Sequence, residues 1–447
     1  VTVEPYWSDG ERTIYEGDAW ALAEMLPPAS VDCLITSPPY WSLRDYGVEG
    51  QFGLERHPQE WVDKLVDLFV RLRPALKKTA TVFVNLGDSY FSSPAKGARG
   101  PQAKNPKAVC GRKCLSPIAE TAWLRPKQLL LLPSRFAIAM QEAGFLLRND
   151  MIWRKTNPLS SSVRDRLSCT YEHIFFFAVA EQYYFDLFAV REPLAESSIA
   201  QISQANFWEQ TGGEKDYGHG INPSQSARKA LVNLAKRCGR NSRICRDRDP
   251  AHSEEPKRTP DEEKACHPAG KNPGDVREWA RQPFPGPHFS VFPSALPEWC
   301  LRAGCPREVC VECGKPKVRR VERRAGFTDG RCNACGRPRA QHVQSAKSGL
   351  APQEWSKGSA SMLEDGAVPC GLSGDLGFAP TCSCGTAFQP GLVLDPFAGS
   401  GTTLAVAKEK GLRAIGFELS PDYCAMAAKR INDAQSPLPM MVEAAGA

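Results

Sequence analysis

Leu392-Val-Leu-Asp-Pro-Phe-Ala-Gly-Ser-Gly-Thr-Thr403 runs from a short apolar stretch through a glycine-rich turn into a helical stretch that ends near Lys410. A strand that feeds a glycine turn and then a helix lets the backbone approach a ligand, and the helix start offers free N–H groups. The next apolar run, Ala414-Ile-Gly-Phe-Glu418, ends in a carboxylate about 20 residues further on, where a ribose would find its hydrogen-bond acceptor. The pair suggests an adenosine-type cofactor. No Gly-Lys-Ser/Thr follows the turn and the GxGxxG spacing is absent, so neither a Walker loop nor a standard dinucleotide fingerprint is present. Without Glu418, the glycines could equally serve a tight turn alone.

Working outward, the same alternation recurs near the start of the chain. Arg12 to Tyr15 reads as a strand and is followed by the Gly17-Asp18 turn. A helix carrying Ala21, Leu22 and Met25 comes next, then an apolar strand from Val31 to Ile35. Glu60 to Leu72 has helical spacing and leads into the buried-strand pattern Thr81 to Leu86. Leu129 to Ala143 predicts another helix, followed by strands at Leu146 to Trp153 and Glu172 to Ala178. Strand and helix in alternation predict an α/β fold with a parallel sheet and helices on both faces. Two stretches, 92–119 and 192 to about 270, are polar and irregular and read as insertions.

The chain has 447 residues, 42% of them hydrophobic and 24% charged, which excludes a small disulfide scaffold and suits a large buried core. No apolar run approaches the ~20 residues of a membrane span, and the first residues carry no secretory pattern, so a cytoplasmic protein without membrane contact is expected. The net charge of +6 permits a polyanionic partner. It is concentrated between Arg228 and Arg248, a run that a solvated basic face would also explain.

Ser37-Pro38-Pro39-Tyr40 directly follows the strand ending at Ile35. Two successive prolines fix φ and remove two backbone donors, leaving their carbonyls as acceptors at the end of the sheet. The exocyclic amino group of a nucleobase is a poor nucleophile because its lone pair is delocalised into the ring. Ser37 Oγ and the Pro38 carbonyl could bind its hydrogens, and Tyr40 could stack on the base. A base handled in this way must first leave the duplex, at a cost of a few kcal/mol. Taken alone, the four residues could be a simple turn.

Thr36-Ser-Pro-Pro-Tyr-Trp41 combined with Asp395-Pro-Phe-Ala-Gly-Ser-Gly-Thr-Thr403 resembles the amino-group DNA methyltransferases, S-adenosylmethionine enzymes that modify cytosine N4 or adenine N6. The order, catalytic motif before cofactor motif, is similar to the β arrangement, a circular permutation of a Rossmann-like sheet. Similar segments continue at Leu43 to Gly47, Asn85 to Tyr90, Trp153 to Pro158, Asp165-Arg166, Tyr171-Glu172, Asn272 to Val276 and His288 to Pro293. The resemblance implies that Asp395, Pro396, Phe397, Gly399, Gly401 and Thr402 surround the methionine end of the cofactor and that Glu418 holds its ribose. It places Asp18 on the adenine side and Phe289, Phe292 and Pro293 beside the methionine moiety. It makes Ser37, Pro38, Pro39 and Tyr40 the catalytic set, acting by direct in-line transfer without a covalent enzyme intermediate. Serine at position 37 favours cytosine N4 by resemblance, although a neutral hydroxyl can polarise either amino group. Adenine N6 methylation therefore stays open, as does a zinc-containing DNA-binding protein that has lost turnover.

Nine of the 17 cysteines fall between Cys300 and Cys384. Cys310-Val-Glu-Cys313-Gly and Cys382-Ser-Cys384-Gly have the spacing of a four-thiolate structural Zn²⁺ site. A second set would use Cys332, Cys335, His342 and Cys370. An alternative pairs Cys310 and Cys313 with Cys332 and Cys335, and free thiols are the remaining reading. These features divide the chain into a catalytic half (1–191), a target recognition region (192–270), a return to the core (271–306), a cysteine-rich zinc insertion (307–388), a cofactor half (389–435) and a tail (436–447). In the recognition region Arg237, Arg240, Arg243 and Arg246 are the candidate contacts to double-stranded DNA. A cognate restriction endonuclease is a further expected partner, and the chain would act as a monomer or a homodimer.

Overall fold

The structure is a computed structural model, and it describes residues 3–91, 123–158, 163–193, 271–282, 292–321, 327–328, 331–332 and 375–436. The strands, in chain order, begin with β1 (Trp7–Ser8), β2 (Arg12–Glu16), β3 (Val31–Thr36), β4 (Leu76–Leu86), β5 (Leu146–Lys155), β6 (Tyr171–Ala178) and β7 (Val276–Trp279). They continue with β8 (Glu308–Cys310), β9 (Lys317–Val321), β10 (Phe327–Thr328), β11 (Arg331–Cys332), β12 (Asp375–Pro380), β13 (Phe388–Pro390), β14 (Leu392–Asp395) and β15 (Arg413–Glu418). The helices are α1 (Ala19–Ala23), α2 (Pro58–Leu72), α3 (Leu132–Glu142), α4 (Leu187–Val190), α5 (Ala295–Gly304), α6 (Thr402–Glu409) and α7 (Pro421–Asp433).

Among the described residues, nine strands form one sheet in the order β1-β2-β15-β14-β3-β4-β6-β5-β7. From β2 to β4 all neighbours are parallel, as the strand–helix alternation predicts. The sheet as a whole is mixed, because β6 is antiparallel to both β4 and β5, and β1 to β2. Apolar periodicity reports burial and carries no strand direction, so this departure from an all-parallel sheet could not be read from it.

Alternating residues of the central strands build two cores. Leu34, Val82 and Val84 pack with Leu22, Trp61, Phe69, Phe136 and Met140 on one face. Cys33, Ile35 and Phe83 pack with Leu296, Leu301, Leu404, Cys424, Ala427 and Ile431 on the other. The result is an α/β sheet covered on both faces, the Rossmann-like arrangement. Helix α2 begins two residues before the predicted Glu60. His57 acts as its cap, accepting from Gln59 N–H at 3.0 Å while Glu60 completes the capping box and Pro58 opens the helix.

The chain divides into two compact units, one comprising 1–190, 274–318 and 380–447, the other 191–273 and 319–379. Three long excursions have their ends held side by side. Tyr90 bridges Leu129, Glu192 bridges Lys271, and β9 pairs with β12.

Candidate active site

Chain order reverses between β14 and β3. From β14 the chain passes through α6 to β15, and from β3 it passes through α2 to β4 on the opposite side. In open α/β sheets the crevice at such a switch point, beyond the carboxyl ends of the strands, is where ligands bind. Here it is a cavity of about 490 Å³. Its wall includes Asp18, Ser37, Pro38, Pro39, Tyr40, Phe292, Pro396, Phe397, Gly399, Thr402 and Glu418. The two motifs, more than 350 positions apart in sequence, therefore share one cavity.

Asp395 lies beneath the loop, not in the cavity wall. Its buried carboxylate accepts from Thr36 Oγ1 at 2.7 Å, Thr403 Oγ1 at 2.6 Å and Phe397 N–H at 3.1 Å. Burial lifts this carboxyl to about 6, against the pull of those three donors. Thr36 is the residue before Ser37, so one carboxylate ties the end of β3 to the loop after β14 and to the start of α6. Gly401, also expected at the cofactor, instead admits a neighbouring helix. Its φ is +76°, and a Cβ there would stand 2.8 Å from Ala427 Cβ on α7. Pro293 is buried two residues before α5, outside the cavity wall, and Phe289 lies outside the described residues.

Glu418 ends β15 and accepts from Gly399 N–H at 2.8 Å and Ser420 N–H at 2.9 Å, one on each oxygen. Burial pushes it up to about 7, and Asp395 adds a smaller push in the same direction. Each oxygen keeps a lone pair for a further donor, which fits a ribose diol. Asp18 caps α1 through Oδ1, accepting from Trp20 and Ala21 N–H at 3.1 Å each. The other oxygen has no hydrogen bond among the described residues.

On the opposite side of the cavity, Ser37 Oγ donates to Asn85 Oδ1 at 3.3 Å. Asn85 Nδ2 donates to the His173 carbonyl at 3.0 Å, which turns the amide oxygen toward Ser37. With its proton given to Asn85, the Ser37 oxygen presents lone pairs to the cavity. Tyr40 Oη donates to Glu172 Oε2 at 2.8 Å, and Lys155 Nζ donates to Glu172 Oε1 at 2.6 Å. Burial and the Glu172 carboxylate push the Tyr40 phenol well above its ordinary value, so it stays protonated. Its ring passes Gly87 so closely that a Cβ there would stand 2.7 Å from it. The Pro39 carbonyl, one of the two the prolines leave as acceptors, accepts from Trp61 Nε1 at 2.9 Å.

Several lining residues carry no functional signal of their own in the sequence. Asn85, Trp153, Lys155 and Glu172 fall in segments that carry the family resemblance, yet only the fold brings β4, β5 and β6 to one edge. Trp20 and Phe52 flank Phe397, Phe52 being stacked at 5.7 Å, and their spacing in sequence gives no sign of it.

Residues 31–311 and 386–429 match the model of the N6/N4 DNA methylase family. The chain belongs to that family. Among curated relatives, the chain is 40% identical over 181 residues to the Type II methyltransferase M.XycI of Xanthomonas campestris pv. cyanopsidis, covering 40% of this chain and 59% of that one. It is 41% identical over 189 residues to the Type II methyltransferase M.Cfr9I of Citrobacter freundii, covering 42% and 61%. The chain thus spans about three fifths of the length of the curated relatives it matches. A solved structure of the PvuII DNA methyltransferase (cytosine-N4-specific) aligns over 96% of this chain and 88% of its own, with 15% identity and a TM-score of 0.45.

The stretch 312–385 falls outside the family match, and the two cysteine pairs stand at its ends. The Sγ atoms of Cys310, Cys313, Cys382 and Cys384 all lie within 4.8 Å of one another. Pairing of β8 with β13 and the left-handed turns at Gly314 and Gly385 bring the two pairs together. Four thiolates about 2.3 Å from one ion would be separated by about 3.8 Å, which lies within the 4.8 Å that bounds this set. Cys332 lies on β11, while Cys335, His342 and Cys370 fall outside the described residues. Arg237, Arg240, Arg243 and Arg246 also fall outside them. Among the described residues no helix is long and apolar enough to cross a membrane.

Proposed function

We propose that this DNA methylase transfers a methyl group from S-adenosylmethionine to the exocyclic N4 amino group of cytosine in a specific sequence of double-stranded DNA. The observation that carries this reading is the single cavity whose wall joins Ser37, Pro38 and Tyr40 to the Pro396–Gly399 loop and Glu418. The donor set fits the cofactor, with Glu418 available to ribose hydroxyls, Asp18 to the adenine, and the glycine loop to the methionine end. S-adenosylmethionine supplies an electrophilic methyl on a sulfonium, so what the chain must provide is position.

Ser37 Oγ and the Pro38 carbonyl accept the two amino hydrogens of a base turned out of the duplex, which draws the nitrogen lone pair away from the ring. Asn85 holds Ser37 in its accepting orientation. Tyr40, anchored through its hydroxyl, gives the base a fixed surface to stack on. The recognition region 192–270 supplies DNA contacts, with Arg237, Arg240, Arg243 and Arg246 on phosphate or base edges. The four gathered cysteines hold a structural Zn²⁺, because an all-thiolate site leaves no open position for catalysis. The cysteine insertion is then a metal-closed module added to the methylase core.

The test is incubation of the purified protein with S-adenosylmethionine and unmodified DNA of mixed sequence, digestion to nucleosides and mass spectrometry. N4-methylcytosine is expected. N6-methyladenine would keep the cavity chemistry and overturn the base assignment.

A further inference from the structure

The cavity is built in two parts. Gly17–Trp20, Pro396–Ser400 and Glu418–Ser420 form the cofactor side, and Asn85, Trp153, Lys155 and Glu172 line the side beyond Ser37. That second side holds an ion pair which no contact to the cofactor requires. Lys155 Nζ lies 2.6 Å from Glu172 Oε1, with side-chain exposures of 17% and 15%. Strand β5 runs parallel to β4, and β6 is antiparallel to both. The end of β5 and the start of β6 therefore lie at the edge where β4 delivers Asn85. Withdrawing two charges from water at a cavity wall carries a desolvation cost of several kcal/mol per ion, and a purely structural role here would be served as well by apolar packing.

The open hydrogen-bonding capacity of this wall has a pattern. Ser37 Oγ and the Pro38 carbonyl are acceptors. Glu172 accepts one hydrogen bond on each oxygen, from Tyr40 and from Lys155, which fixes the ammonium against it. An ammonium has three N–H donors, and among the described residues Glu172 accepts from one of them and no other hydrogen bond engages Lys155, leaving two. The wall thus offers acceptors beside a charged donor. The pairing edge of cytosine runs donor, acceptor, acceptor, from the N4 amino group through N3 to O2. The same edge of adenine runs donor, acceptor and then a C–H with nothing to receive a second N–H. We propose that Lys155 is a specificity-determining residue that donates to the N3–O2 edge of the extruded cytosine, with Glu172 as the positioning residue that fixes its ammonium.

This inference rests on the cytosine-N4 reading above. The test uses the full chain, S-adenosylmethionine and a duplex carrying the site located by sequencing wild-type product, with target cytosine or with 2-thiocytosine, whose sulfur is a poor acceptor at position 2. Wild type should lose about tenfold in kcat/KM on the thio substrate. Lys155→Met should lose at least tenfold on cytosine, at unchanged cofactor Kd, and should lose little more on 2-thiocytosine, because both changes remove the same contact. Multiplying losses, or an undiminished Lys155→Met, would overturn the role of Lys155. If Lys155→Met fails to fold, wild type acting equally well on both substrates overturns it. N6-methyladenine as the wild-type product would instead remove the cytosine reading, and that is seen before any variant is made.

Discussion

Glu418 is a carboxylate that burial keeps protonated well above its ordinary range. Its folded value of about 7 stands above the ordinary 4.5, so between those pH values the folded protein binds more protons than the unfolded chain. The contribution of Glu418 to stability is therefore full below about 4.5 and falls as pH rises toward 7. Hydroxyl donors favour the ionised form, so cofactor affinity should change in the opposite direction and tighten up to about tenfold from pH 6 to pH 8. Calorimetric titration across that range checks it, and Glu418→Gln should bind more weakly with a flat profile. Tyr40→Ala makes a complementary case on the other side of the cavity. Loss of one stacking surface should lower kcat/KM for DNA about tenfold or more while leaving cofactor Kd unchanged. Unchanged turnover would remove the stacking role.

At the scale of elements, the loop after β14 is a joint between three pieces of secondary structure. Asp395 binds β3 and α6 to it from below, and Gly401 lets α7 close on it from the side. Gly401→Ala should cost about 1–3 kcal/mol of unfolding free energy in urea, since the added methyl meets Ala427 at a positive φ. The centre of the parallel half was legible in the sequence because its strands there are short apolar runs closed by a turn, as in Leu392 to Asp395 and Val31 to Thr36. Helix α7 was not, because its buried face is Cys424, Ala427, Ala428 and Ile431, mostly small residues whose periodicity is faint. The second side of the cavity escaped for a different reason. Asn85, Lys155 and Glu172 sit on three strands whose order and direction decide their meeting, and no local pattern encodes either.

At the scale of the whole molecule, the cysteine set is the feature most exposed to direct chemical test. Purified protein should carry at least one equivalent of zinc by elemental analysis, and Cys310→Ser should lose it and lower the melting temperature, because metal binding contributes folding free energy. Metal-free protein with an unchanged melting temperature would remove the site. The three excursions from the sheet share a property that reaches beyond stability. Each leaves and returns through backbone contacts between its own two ends, at Tyr90 and Leu129, at Glu192 and Lys271, and along β9 and β12. A segment tethered in that way can lengthen, shorten or be replaced with little disturbance to the strands, since doubling a closed loop costs only about 0.6 kcal/mol. The strands that carry the cavity can thus stay fixed while the segments between those three pairs of contacts vary in length and sequence.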